Sequence, residues 1–142
     1  MATQIDKEAC REAYNDVRED SKDVNWAVFK YEDTTIKPGG QGTDYEDFKS
    51  MCTDDVRLFA YVRITMGDAM SKRAKFTLIT WIGEKIGGLQ RAKISTDKAM
   101  VKEVVQIFAK EFMFSDPREL DVETIRTELK KAGGANYDAQ AE

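Results

Sequence analysis

Val56-Arg57-Leu58-Phe59-Ala60-Tyr61-Val62-Arg63-Ile64-Thr65 is a run dominated by β-branched and aromatic residues, with apolar side chains at both odd and even positions. A strand normally alternates; one that is apolar on both faces in part reads as a central strand of its sheet. Met66-Gly67-Asp68 interrupts it with a turn signal. Phe76 to Ile82 then returns as a second strand, predicting a hairpin with the first.

Upstream, Val24 to Tyr31 is another aromatic and β-branched run. Glu32-Asp33 reads as a turn, Thr34 to Lys37 as the returning strand, and Pro38-Gly39-Gly40-Gln41-Gly42 as a loop. Ile5, Ala9, Cys10, Ala13, Tyr14 and Val17 recur at helical spacing, with Thr3 or Asp6 as the cap. Asp44 to Met51 predicts a short helix. Downstream, Gly87-Gly88 bends the chain into a long helix whose buried face is expected to carry Val101, Val104, Val105, Phe108 and Phe112, with Lys98 and Lys102 outside at i,i+4. Phe112-Met113-Phe114 reads as a short strand. Pro117 fits the first turn of a final helix that contains Leu120, Ile125 and Leu129 and stops at Gly133-Gly134. The fold class expected is α/β (α+β): a mixed sheet between helices, in one domain over residues 1–132, followed by a mobile tail over 133–142.

The 142 residues carry a net charge of −4, and 34% of them are charged. The distribution is uneven. Between Lys72 and Lys102 stand Lys72, Arg73, Lys75, Lys85, Arg91, Lys93, Lys98 and Lys102, opposed only by Glu84 and Asp97. That segment is +6, leaving −10 for the remainder. Net acidity argues against nonspecific nucleic-acid binding; a basic belt on an acidic chain argues for an acidic partner met by one face. Two basic groups are the candidate site. Lys72, Arg73 and Lys75 crowd the start of a strand, where charge also guards against edge pairing. Arg91, Lys93, Lys98 and Lys102 follow on and before the long helix.

Several chemistries lack their residues. The chain contains no histidine, which removes the commonest general base and every histidine-containing metal or nucleophile constellation. The Gly39 to Gly42 loop lacks nucleotide-binding spacing. Cys10 and Cys52 are scattered and read as buried reduced thiols. No cofactor, no metal and no enzymatic activity are expected. The start of the chain has no signal-peptide character, and no apolar run is long enough for a transmembrane segment, so a cytoplasmic monomer is expected.

Asp54-Asp55-Val56-Arg57-Leu58-Phe59-Ala60-Tyr61-Val62-Arg63, Gly67-Asp68-Ala69-Met70-Ser71-Lys72-Arg73, Leu78-Ile79-Thr80-Trp81-Ile82-Gly83, Gly88-Leu89-Gln90-Arg91-Ala92-Lys93 and Leu129-Lys130-Lys131-Ala132-Gly133-Gly134-Ala135-Asn136-Tyr137-Asp138 together resemble the coactosin group of the ADF/cofilin (ADF-homology) family. The likeness runs over essentially the whole chain. It implies a five- or six-stranded mixed sheet flanked by helices and binding to filamentous actin. Lys72-Arg73, beside Lys75, match the basic pair that precedes the strand ending in Trp81. Arg91, Lys93 and Lys98 resemble the basic residues at the family's long helix. Differences from cofilins near the N-terminus, where Thr3 stands, and in the long helix imply side binding without strong severing or depolymerisation. The likeness further implies partnership with arachidonate lipoxygenase. A scaffold or stabilising partner of such a soluble enzyme is the runner-up reading, and a membrane-surface module reading phosphoinositide headgroups with the same belt is the third.

Overall fold

The computed structural model describes residues 2–67 and 73–141, with residues 132–141 described by their backbone alone. Six strands form one mixed sheet: β1 (Gln4–Ile5), β2 (Trp26–Glu32), β3 (Thr35–Gly42), β4 (Arg57–Met66), β5 (Arg73–Ile82) and β6 (Lys110–Phe114). Their order across the sheet is β1-β3-β2-β4-β5-β6. The three inner pairings, β3 with β2, β2 with β4 and β4 with β5, are antiparallel, and the two outer ones are parallel. The predicted hairpin is formed by β4, one of the two central strands, and β5, in register from Arg57 opposite Ile82 to Met66 opposite Arg73.

Four α-helices cover the sheet among the described residues: α1 (Lys7–Arg18), α2 (Tyr45–Met51), α3 (Gly88–Val104) and α4 (Val122–Ala141). One core, under α1 and α3, is built from Tyr14, Phe29, Phe59, Tyr61, Leu78, Ile94 and Val101. The other, under α2 and α4, contains Trp26, Phe48, Leu58, Ile79, Trp81, Ile125 and Leu129. Each fully buried Phe or Leu side chain contributes roughly 1.5–3 kcal/mol. Cys10 and Cys52 are buried free thiols, one in each core, as the sequence predicts.

Local chemistry accounts for the helix ends. Asp6, rather than Thr3, caps α1, its carboxylate accepting from the Ala9 N–H at 3.1 Å. At the other end of α1 the Arg63 guanidinium donates to the Val17 carbonyl and, at 3.0 Å, to the Glu19 carbonyl, a cation where the helix leaves its carbonyls unpaired. Asp44 caps α2.

Four expectations are corrected. Pro38 to Gly42 is strand, not loop: β3 runs on through it beside β2. Beyond Ile36 its outer edge has no β1 neighbour, so the N–H that proline lacks is not missed. The indole of Trp26 lies against Gly42, where an added Cβ would sit 2.7 Å from the ring. Second, α3 ends at Val104, leaving Phe108 and Phe112 beyond it, on the following connection and on β6. Third, Pro117 opens a separate 3-10 turn, Pro117–Leu120, capped by Asp116, rather than the final helix. Fourth, α4 continues through Gly133-Gly134 to Ala141. Each glycine costs a helix only about 1 kcal/mol relative to alanine, and no proline follows to stop it.

Candidate functional site

The described members of the strand-side group, Arg73 and Lys75, do not sit as an exposed cluster. β5 begins at Arg73, three residues before the predicted start, so Lys75 is inside the ladder opposite Ile64 rather than at a frayed end. Side chains alternate along a strand, and Lys75 therefore shares the face of Thr77, Ile79 and Trp81, where α2 and α4 pack. It is only 5% exposed. The expected place of Lys75 in a charged group at the start of a strand is corrected on that ground. Arg73, opposite Met66, is half-buried, and both it and Lys75 are engaged by neighbours. Lys72 and Met70 lie outside the described residues.

The helix-side group is held on the opposite face of the sheet. Ile94, Asp97, Val101 and Val104 form the buried stripe of α3. At 3.6 residues per turn, Arg91, Lys98 and Lys102 fall together on one flank of that stripe, and Lys93 falls on the other. Arg91 is exposed at its stem, but its guanidinium donates back to the Gly83 carbonyl at 3.1 Å, bracing the loop that enters the helix. Lys98 and Lys102 both reach Glu111 on β6: Lys98 Nζ lies 2.7 Å from Oε1 and Lys102 Nζ 2.7 Å from Oε2. The lysine hydrogen bonds, Lys102's first and Lys98's second, hold the Glu111 carboxyl below the ordinary glutamate range. Lys93 is half-buried and also engaged.

The described members of the two basic groups thus do not make one continuous surface. They are related by topology instead. α3 runs back across the sheet after β5, so its C-terminal Lys102 lies toward the end of the sheet at which β5 begins.

Two site features escaped the sequence reading. The first is a buried polar cluster that fixes α3. Asp97, 2% exposed, accepts a 2.6 Å hydrogen bond from the Tyr31 phenol on β2, and Arg57 Nη1 is 3.8 Å from its carboxylate. The Arg57 guanidinium lies 3.6 Å over the Tyr31 ring and donates to the Gln90 carbonyl at 3.1 Å. Burial first, and the bond to Asp97 second, push the Tyr31 phenol up. An acid falling on the apolar stripe between Ile94 and Val101 was the available signal. The second feature is Glu111, which only the parallel placement of β6 beside β5 brings under α3. Among the described residues no group of three or more His, Cys, Asp or Glu side chains is placed to hold a metal ion, and no helix is long and apolar enough to cross a membrane.

A family model described as cofilin/tropomyosin-type actin-binding protein matches residues 2–130. Coactosin-like protein of Bos taurus is 69% identical over 142 residues, covering 100% of both chains. Among solved structures, human coactosin-like protein superposes with a TM-score of 0.89 at 65% identity, over 92% of this chain and 99% of that one. Mouse coactosin, described as an actin filament binding protein, gives a TM-score of 0.80 at 68% identity over 100% of both chains.

Proposed function

The chain belongs to the cofilin/tropomyosin-type actin-binding family, and from that premise we propose that it binds the sides of actin filaments without strongly severing or depolymerising them. The observation that carries the reading is the cationic flank of α3, Arg91, Lys98 and Lys102, set on a helix whose rotation is fixed by the buried Asp97. A row of cations on a fixed helix suits an acidic filament surface: complementary charge speeds and orients docking, and the backbone that carries them loses little freedom on contact. Arg73 and Lys75 at the start of β5, Lys72 before them in the sequence, and Lys93 are the secondary candidates. A partner that grips that end of the sheet meets the strand start and the Lys102 end of α3 together. The binding unit is residues 1–132, acting as a monomer, with 133–142 dispensable for folding. The reading carries with it a cytoplasmic location on the cytoskeleton and no catalytic activity.

Cosedimentation with filaments, at low and at physiological salt, tests it. The parent should pellet with filaments, less so as salt rises. The combined change Arg91→Ala, Lys98→Ala, Lys102→Ala should weaken binding by about tenfold or more, which is about 1.4 kcal/mol. Filaments watched under a microscope should stay long at saturating protein. A parent that ignores filaments but pellets with phosphoinositide vesicles, or is captured by an arachidonate lipoxygenase instead, would assign the same cations to a different partner.

A further inference from the structure

Lys98 and Lys102 are already occupied. The two oxygens of one carboxylate each take one lysine, both at 2.7 Å. Glu111 is 31% exposed at its side chain, against 23% for Lys98 and 41% for Lys102, so the bridge lies at the protein surface and is open to a partner. Lysines four residues apart on one helix flank repel each other, and the shared glutamate offsets that repulsion. Glu111 itself is opposite Leu78 on the α3 face of β6. Its strand neighbour Lys110 turns to Glu128 of α4 at 3.2 Å on the other face, leaving Glu111 to the two α3 lysines. Met113, next on the same face of the strand, is half exposed.

We propose that Glu111 is an intramolecular competitor built into the filament-binding surface: it takes the place of a partner carboxylate on Lys98 and Lys102 and must be displaced before they engage the filament. This deepens, and rests on, the assignment of the α3 flank to the actin contact. The lysine stems are long and unbranched, so both ammonium groups swing from Glu111 to an external acid without any movement of α3, which the Tyr31, Asp97 and Arg57 cluster holds separately. Affinity is therefore set below what the same lysines would give if unpaired, and Glu111 acts as a positioning residue that tunes it.

Glu111→Gln tests this because it keeps the shape of the side chain and removes its charge. The affinity for filaments is measured by cosedimentation for the parent, for Glu111→Gln, for Lys98→Ala with Lys102→Ala, and for all three changes together, with the melting temperature of each. Glu111→Gln should bind about fivefold tighter at low salt, close to 1 kcal/mol, and the gain should shrink as salt screens the charges. In the double-lysine variant the same change should have no effect on binding, because nothing remains to be released. A Glu111→Gln protein that melts like the parent but binds no more tightly overturns the proposal. So does a gain that persists without the lysines, which would mean that Glu111 merely adds repulsive charge. If the double-lysine variant binds like the parent, the α3 flank is not the contact, and it is the underlying functional reading that has failed.

Discussion

Tyr31 and Asp97, 66 residues apart in sequence, are joined by a 2.6 Å hydrogen bond that pins the middle of the long helix to the second strand. Asp97 turns into the protein because the bond, and the Arg57 guanidinium beside it, compensate a carboxylate that is otherwise costly to bury. The helix is thereby fixed in rotation as well as in position. Sliding or turning α3 would break the polar cluster at the same time as the apolar stripe.

Removing either partner should therefore be expensive. Asp97→Ala leaves the Arg57 charge and the Tyr31 hydroxyl without their carboxylate, and should lower stability by about 3–5 kcal/mol. Tyr31→Phe removes one hydrogen bond to a charged group and should cost about 1.5–3 kcal/mol. Urea unfolding of the two variants gives both numbers. A loss under about 1 kcal/mol for Asp97→Ala would mean that the cluster is not what holds α3.

The two thiols should be silent in the native protein. Burial pushes both Cys10 and Cys52 up to about 12, with the nearby Asp6 charge a second cause at Cys10. The thiolate is the reactive species, so at pH 8 almost none exists in the folded state. A colorimetric thiol reagent should find two reactive groups in denaturant and fewer than about 0.1 in the native protein within minutes. Rapid native labelling would contradict the packing of both cores at these points.

Asp116 predicts an acid-sensitive contribution. Its carboxyl is held down to about 2, below the 3.8 of an ordinary aspartate, first by the Arg118 side chain and then by the Arg118 N–H. A carboxyl depressed in the folded state stabilises it above the ordinary value, and that contribution is lost as pH falls through about 2. Asparagine can still cap the 3-10 turn, so Asp116→Asn removes the charge alone. Melting temperatures of parent and variant should differ at pH 6 and converge near pH 2. A gap of constant size across that range would show that the charge plays no part.

The β4–β5 hairpin was legible because Phe59, Tyr61, Val62, Ile64 and Thr65 give β4 strong strand character, and because Gly67 is a turn signal after it. The cap of α1 was legible to within two alternatives. β3 beyond Lys37 was not, since Gly39 and Gly42 read as a loop until the Lys30 stem and the Trp26 indole are placed against them. The basic residues of the candidate site were legible as types and positions. Their separation onto two faces was not: which face of a sheet a crossing helix covers is a property of the chain path, and no spacing within the strand or the helix encodes it. Glu111 was unreadable for the same reason.

Lys75 is where that distinction has a measurable consequence. Read as one of three surface cations, it should accept Glu without harm to the fold. In the structure it is 5% exposed, opposite Ile64, on the face that carries Ile79 and Trp81. A lysine can occupy such a position with its stem in the apolar layer and its ammonium held by a neighbour, and a glutamate is shorter and of the wrong sign for whatever receives that ammonium. Lys75→Glu should therefore cost about 3–5 kcal/mol, the range for leaving a buried charge uncompensated. Arg73→Glu, two residues earlier and half-buried, should stay within about 1 kcal/mol. Urea unfolding midpoints of the two variants make the comparison, and filament pelleting of each should be run only at temperatures where the variant is folded. Lys75→Met keeps the unbranched stem and discards the charge, so it separates lost packing from lost contact. If Lys75→Glu unfolds at the same urea concentration as Arg73→Glu, the side chain is at the surface after all, and loss of filament binding in either variant can then be read directly as loss of a contact.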